Sequence, residues 1–417
     1  MVKHIQRLSY LPSLTDYSET INTARLREER IKRARQVMRQ QGIPAMLVTG
    51  ANNIRYLTGY RGVDFQRQLD HVLFFVEHDP VVFIHAGHYQ TIPAFMPWIK
   101  HWRIGRGWLQ QICGPEAARE EAKLFAEEIR QELHERGLTG EKLGVACYDD
   151  LAKTALAEAG LTIVDAWPLL LEAGTIKTQD EIACLKEAVS ICGIAYQRIL
   201  EILKPGVTVA QVTHASRNAL TEGGAEVPST AIWSGPQNAW RGSPVNRRIE
   251  YGELLYASLC GTSYMGYTAC NYRSFIVGRQ PNDREKDMYK RLMDRINAAI
   301  DATKVGNTTA DAVKAFPKAS TRGCKDEAEV LTVEIGHGIG LVTYPPSLVN
   351  YNMPVINRQW SLKNPQPFDK GMVIAYESLE GEPGFGGVRV ENVVVVTEDG
   401  AEMMDFFPRD EILVAGA

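Results

Sequence analysis

Residues 370–400 read KGMVIAYESLEGEPGFGGVRVENVVVVTEDG. The first part, KGMVIAYESLEG (370–381), reads as an apolar strand that ends at Glu377. The second part, GGVRVENVVVVTEDG (386–400), alternates Arg389 and Glu391 with Val388 and Val390. It continues as a run of four valines, the pattern of a buried strand, and Glu398-Asp399-Gly400 supplies its turn. Each polar residue has a plain reading when taken singly. A Glu at a strand end is solvated, and Arg389 and Glu391 share a strand face and pair with each other. Together they are harder to dismiss. Two carboxylates on apolar strands are costly to bury without a cation or a proton to share, and such groups concentrate at functional sites.

Two further stretches carry chemistry. EIGHGIGLVTYPP (334–346) sets His337 among glycines, where backbone can come close to a ligand; the plain alternative is a hydrogen-bonded structural histidine. GELLYASLCGTSYMGYTACNYRSFIVG (252–278) reads as a hairpin, with a turn around Thr262–Met265 and Arg273 on its second strand.

Working outward, the first half alternates helical and strand patterns. A helix is expected over 23–41, stopped by Gly42 and Pro44. Strands are expected at 45–50, 71–78, 81–86 and 142–146, and helices over 116–137 and 151–160. That is α/β architecture with several strands in one sheet. Thr178 and Glu181 form a capping-box signal for a long helix that runs to about Leu203. The domain boundary falls near residue 172, giving domains 1–172 and 173–417. A weak repeat appears in the second half: GVTVAQV from Gly206 and GNTTADAV from Gly306 each follow one helix and open another.

Composition bounds the function. The chain has 417 residues, 45% hydrophobic and 23% charged, with a net charge of −4. This excludes a disordered or low-complexity chain, and the absence of a basic excess argues against nucleic acid. The N-terminus lacks a signal-peptide pattern, and no stretch approaches the ~20 apolar residues of a membrane helix. The seven cysteines are scattered, odd in number and without a CxxC pair. Reduced thiols in a cytoplasmic protein are expected.

The order of GY-x(5)-R, GHGIGL, GMV-x(3)-E and VRVEN resembles the creatinase, Xaa-Pro aminopeptidase and prolidase family. RQQGIPAMLVTGANNIRYLTGY (39–60) is similar to its N-domain opening, and IKTQDEIACLKEAVSI (176–191) to the start of its catalytic domain. The resemblance covers about residues 25–410. It implies an α/β (α+β) protein, with a creatinase-like N-terminal domain and a pseudo-symmetric pita-bread catalytic domain. That symmetry would explain the repeat. The family's peptidases hold two metal ions with Asp, Asp, His, Glu and Glu. His337, Glu377 and Glu391 match the last three. Leu259 and Cys270 fall at the two aspartates, and two divalent ions would lack roughly half their anionic oxygen ligands. The family's second histidine is replaced by Tyr344, followed by Pro345.

Creatinase-like members lack the same aspartates and work without metal, their glutamates binding an organic cation. The first expectation is therefore a metal-independent, cofactor-free hydrolase of a C–N bond in a small amidine, cyclic amidine or amide, with His337, Glu377 and Glu391 catalytic. Phe65 and Arg67 match that branch's carboxylate-binding Phe-x-Arg, which acts across a homodimer. Creatinase's upstream histidine has no counterpart in SGPQNAWRGSPVNRR (234–248). There Arg241 would bind an anionic substrate group, and Trp233, Trp240, Tyr267 and Tyr344 would wall an organic cation, with Arg389 as a further substrate-binding residue. A histidine between two carboxylates has a raised pKa, which suits an acid more than a base. A second expectation is a mononuclear metal-dependent aminopeptidase-like hydrolase or lyase, with one zinc or iron ion on Cys270, His337, Glu377 and Glu391. A third is a non-catalytic ligand-binding member. In each case the partner is a small molecule, with no nucleic acid and no membrane.

Overall fold

The computed structural model describes residues 21–61, 70–240, 242, 244–331, 333–344, 347 and 349–416. Among them no helix is long and apolar enough to cross a membrane. The chain forms two compact units. One comprises Thr23–Gly174 with Leu341–Ser347, and the other comprises Thr175–Gly340 with the C-terminal stretch.

The first unit is built on a six-stranded mixed sheet. Its strands are β1 (Ala45–Thr49), β2 (His71–Phe75), β3 (Val81–Ile84), β4 (His101–Ile104), β5 (Lys142–Ala146) and β6 (Thr162–Asp165), in the order β4-β3-β2-β1-β5-β6. Strands β1 and β2 are buried along their whole length, which is why they read as continuous apolar runs rather than alternating ones. The helix Pro115–Glu135 lays Ala122, Phe125 and Ile129 on Leu47, Leu73 and Val145. The 341–347 segment is tied in by Asn53. The Asn53 side chain donates to the Thr343 carbonyl (2.9 Å) and accepts from the Thr343 amide (2.9 Å).

The second unit opens with the helix Gln179–Ile202, and its expected cap is present. Thr178 Oγ1 accepts from the Glu181 amide (3.2 Å), and Glu181 Oε2 accepts from the Thr178 amide (2.9 Å). The repeat has a structural counterpart. Thr208 and Thr308 each close a capping box at the start of a helix, Val209–Glu222 and Thr309–Ala312. Two residues before each cap, Gly206 and Gly306 adopt the same φ of +91°, which favours glycine.

The sheet of this unit contains β7 (Ala231–Ser234), β8 (Leu254–Ser258), β11 (Tyr272–Val277), β12 (Glu334–Ile339), β13 (Tyr351–Ile356), β14 (Val373–Glu382) and β15 (Gly386–Val396). Their order is β13-β12-β14-β15-β11-β8-β7, with β16 (Ala401–Met403) on β15 and β17 (Leu413–Ala415) on β11. The short ribbon β9 (Ser263–Tyr264) and β10 (Tyr267–Thr268) lies between β8 and β11, and its turn is made by Met265 and Gly266, both with positive φ. Tyr376, Val390 and Val394 pack on Met288, Leu292 and Ile296 of the helix Asp283–Asp301. Strand alternation therefore puts Glu377, Arg389 and Glu391 on the opposite face.

Two expectations are corrected here. β14 does not end at Glu377. Paired on one side with β12 and on the other with β15, it continues to Glu382. The glycines beside His337 serve strand packing rather than the approach of a ligand. A Cβ on Gly338 would sit 2.2 Å from the Met353 carbonyl oxygen, and one on Gly336 would sit 2.7 Å from the Tyr376 ring. Gly338→Ala is expected to destabilise this unit by at least ~2 kcal/mol, because the obstructing atom is backbone. The unfolding transition of the unit measures it, and an unchanged midpoint would disprove the packing account.

Candidate active site

Five adjacent strands, β12-β14-β15-β11-β8, deliver the candidate residues to one face. Glu377 and Glu391 are directly opposed across β14 and β15. His337 on β12 lies opposite Ala375, two residues from Glu377 and on the same face. Tyr272 on β11 faces both Glu391 and Ser258.

The β8–β11 ladder continues past the formal strand ends. The Leu259 amide donates to the Asn271 carbonyl (3.0 Å), and the Gly261 amide to the Ala269 carbonyl (2.9 Å). Cys260 is thereby set across from Cys270. The Ala269 amide donates in turn to the Thr262 carbonyl (2.8 Å), so Ala269 opposes both Gly261 and Thr262. This is a β-bulge, with Gly261 at φ +90°. Alternation from Ser258, opposite Tyr272, puts Cys260 on the site face and turns the fully buried Leu259 away; the bulge lies beyond Cys260 and offsets this ladder by one residue from the register of the β9–β10 turn. Sequence reasoning missed Cys260 for this reason.

Glu391 is the node of the site. Cys260 Sγ donates to its Oε2 at 3.0 Å, and His337 Nε2 lies 3.4 Å from its Oε1. Burial pushes the Glu391 carboxyl up, but the hydrogen bond and charge of His337 and the hydrogen bonds from Cys260 and Cys270 outweigh it. The carboxyl is held below its ordinary range. For His337, burial opposes the imidazolium, yet the hydrogen bond to Glu391 and the charges of Glu391 and Glu377 win and raise its pKa. His337 Nδ1 is 3.1 Å from the Gly338 carbonyl oxygen. In the neutral ring a proton on Nδ1 satisfies that carbonyl and leaves the lone pair on Nε2.

Glu377 is committed elsewhere. Arg389 Nη2 donates to Glu377 Oε2, and the guanidinium carbon lies 4.2 Å from the centre of the Tyr272 ring. Arg389 thus pairs across the strands with Glu377, not along its own strand with Glu391. Burial pushes the Glu377 carboxyl up more than the Arg389 charge pulls it down, and the Glu391 charge adds to the rise. Arg389 stacks on Tyr272, a residue outside the expected aromatic wall. Trp233, Tyr256, Tyr272 and Leu379 form one cluster, with Trp240 packed against it.

The other sequence candidates are placed differently. Tyr267 is fully buried and its hydroxyl is 3.1 Å from Glu181 Oε1, so it supports the fold rather than meeting a ligand. Tyr344 belongs to the first unit, exposed and edge-on to Trp167. Phe65, Arg67 and Arg241 lie outside the described residues. The motif residue Arg273 is fully buried on the opposite face, where it pairs with Asp405. One further residue was not foreseen. Tyr351 stands edge-on to His337 at 4.5 Å between ring centres, half of it open to solvent. No local sequence pattern marks it, because its place depends on the pairing of β13 with β12.

The donor set answers the question of metal. Two hard divalent ions do not fit, because Leu259 is turned away and Glu377 is taken by Arg389. One borderline-soft ion fits. Ligand atoms of Cys260, Cys270 and Glu391 lie within 4.8 Å of one another, and His337 Nε2 adjoins Glu391.

Residues 183–398 match the model of metallopeptidase family M24, and residues 30–173 match the creatinase/prolidase N-terminal domain. A Xaa-Pro dipeptidase of Pyrococcus furiosus is 28% identical over 235 residues, 55% of this chain and 62% of that protein's length. An uncharacterised peptidase of Bacillus subtilis, YqhT, is 25% identical over 92% of this chain and 100% of its own. Among solved structures, a Xaa-Pro dipeptidase from Bacillus anthracis superposes with a TM-score of 0.74 at 22% identity, over 94% of this chain and 100% of that one. These findings overturn the expectation of a metal-independent hydrolase of non-peptide amidines, and with it the expectation of no cofactor. The family is one of metallopeptidases, and the relatives are named as peptidases. The chain is a hydrolase that belongs to metallopeptidase family M24, carrying that family's catalytic domain behind a creatinase/prolidase N-terminal domain.

Proposed function

We propose that the chain is a metal-dependent hydrolase of a short peptide or peptide-like amide, and that it works with one ion instead of two. The observation that carries this is the commitment of Glu377 to Arg389 beside an intact His337 and Glu391. These residues leave donors for a single ion. A bound divalent ion would polarise the scissile carbonyl and ease deprotonation of a water.

The chain's own residues do the rest. Glu391 supplies the anionic oxygen donor, and Cys270 lies on the same face. His337 offers Nε2, its tautomer fixed through Nδ1 by the Gly338 carbonyl. Arg389 neutralises Glu377 and keeps a second cation out. Tyr351, half-open and beside His337, is placed to hydrogen-bond a substrate oxygen. Trp240, only partly buried against the Trp233, Tyr256 and Tyr272 cluster, offers an apolar surface suited to an aliphatic or prolyl side chain.

Xaa-Pro dipeptides are the first substrates to test, because several relatives are named for them. Protein purified without a metal-affinity column is dialysed against chelator, and dipeptide hydrolysis is followed before and after zinc or ferrous ion is returned. We expect at least a ~100-fold loss on stripping, and recovery with about one equivalent per chain. Undiminished turnover below a tenth of an equivalent would overturn the metal claim. A fully loaded protein that cleaves no dipeptide or amide would overturn the substrate class.

A further inference from the structure

We infer that Cys260 and Cys270 are paired thiolate ligands of the ion, so that the centre selects a thiophilic metal over a hard one. This rests on the metal-dependent reading above and adds the identity of the ligands and the class of ion.

Three observations carry it. First, the β8–β11 ladder sets Cys260 across from Cys270, with the Leu259–Asn271 and Gly261–Ala269 hydrogen bonds on either side of the pair, so the two sulfurs are positioned by backbone and not by a mobile loop. Second, both sulfurs and a Glu391 oxygen lie within 4.8 Å of one another, and Cys260 Sγ is already 3.0 Å from Glu391 Oε2. Metal–sulfur bonds of about 2.3 Å in a tetrahedron separate neighbouring ligand atoms by roughly 3.8 Å, within reach of small side-chain rotations. Third, a nitrogen donor adjoins this group of three on its carboxylate side. His337 Nε2 lies 3.4 Å from Glu391 Oε1, and its other ring nitrogen is engaged by a backbone carbonyl. Two sulfurs, one imidazole and one carboxylate form a set for zinc, ferrous or cobaltous ion. Manganese and magnesium favour all-oxygen shells.

Binding is balanced by proton release. Two S–H bonds break and two metal–sulfur bonds form, with both protons passing to solvent. The net charge of two thiolates, one carboxylate and a divalent cation is −1, and the Arg389 guanidinium stands on the same sheet face.

The test uses the full-length, metal-free protein under reducing conditions, titrated with cobalt(II) and, separately, cadmium(II). A near-ultraviolet sulfur-to-metal charge-transfer band is expected, saturating at one equivalent. In Cys260→Ser and Cys270→Ser the band should fall to about half, with affinity lowered at least ~100-fold, and in the double variant it should vanish. Circular dichroism and thermal melting show that each variant is folded; if a serine variant is not, Cys260→Ala replaces it. In competition, wild type should favour cadmium over manganese, and Cys270→Asp should shift the ratio toward manganese by at least ~10-fold. One equivalent of ion bound without a charge-transfer band would overturn the thiolate assignment and leave the metal-dependent reading standing. No binding of any divalent ion would overturn both.

Discussion

Glu391→Gln is expected to lower turnover on the order of 10³-fold while the protein stays folded. The side chain is fully buried and touches the Cys260 thiol and the His337 ring. The amide keeps the shape but loses the charge that every neighbour uses. An ion would lose its anionic oxygen ligand, and an NH₂ group would face a thiol or a ring nitrogen that had donated to an acceptor. Stability should change far less, because His337 can shed its proton once the carboxylate is gone. Glu380→Gln is the control. Glu380 lies on the neighbouring strand β14 and on the opposite face, in ion pairs with Arg295 and Arg291, and its loss should leave turnover within a few-fold. Steady-state turnover together with melting temperature reads both variants. Near-normal turnover in folded Glu391→Gln would remove Glu391 from the site.

Much of this was legible in the sequence, and the failures have physical causes. Strand period and turn chemistry placed the helix at Thr178, the strands around His337 and Glu391, and the hairpin between β8 and β11. They did so because local patterns fix those elements. His337, Glu377 and Glu391 come together because a period of 2 puts each on the same face once the strands pair. Cys260 escaped because counting outward from the Met265-Gly266 turn pairs it with Asn271, and only the Gly261 bulge restores Cys270 as its partner. The plain alternative for Arg389, a pair with Glu391, fails for a related reason. Residues two apart on one strand stand nearly 7 Å apart, and the diagonal partner on the next strand, at roughly 7–8 Å, is equally within reach of a long side chain. That register, Leu379 opposite Arg389, is invisible in one sequence. The inference from two missing aspartates to a missing metal failed because it counted carboxylates. The structure supplies sulfur.

Arg389→Met should cost the catalytic unit about 3–5 kcal/mol of stability, the largest loss expected of any single change at the site. Arg389 is fully buried, bonded to Glu377 and stacked on Tyr272. Removing it leaves Glu377 buried directly across from Glu391, two carboxylates with no fixed cation between them. Glu377 must then take up a proton or destabilise the fold. The double variant Glu377→Gln/Arg389→Met removes both charges and should recover most of the loss, as buried pairs do when replaced together. A single variant as stable as wild type, or a double variant no better than the single, would disprove the account. The same pair decides whether Glu377 is a metal ligand. If it is held by Arg389, Glu377→Gln weakens metal binding much less than Glu391→Gln does. In Arg389→Met the released carboxylate then becomes an additional donor, so divalent ion should raise the melting temperature of that variant by more than it raises wild type's. If Glu377 were already a ligand in the wild-type protein, the two Gln variants would weaken binding alike, and Arg389→Met would gain no extra protection from the ion.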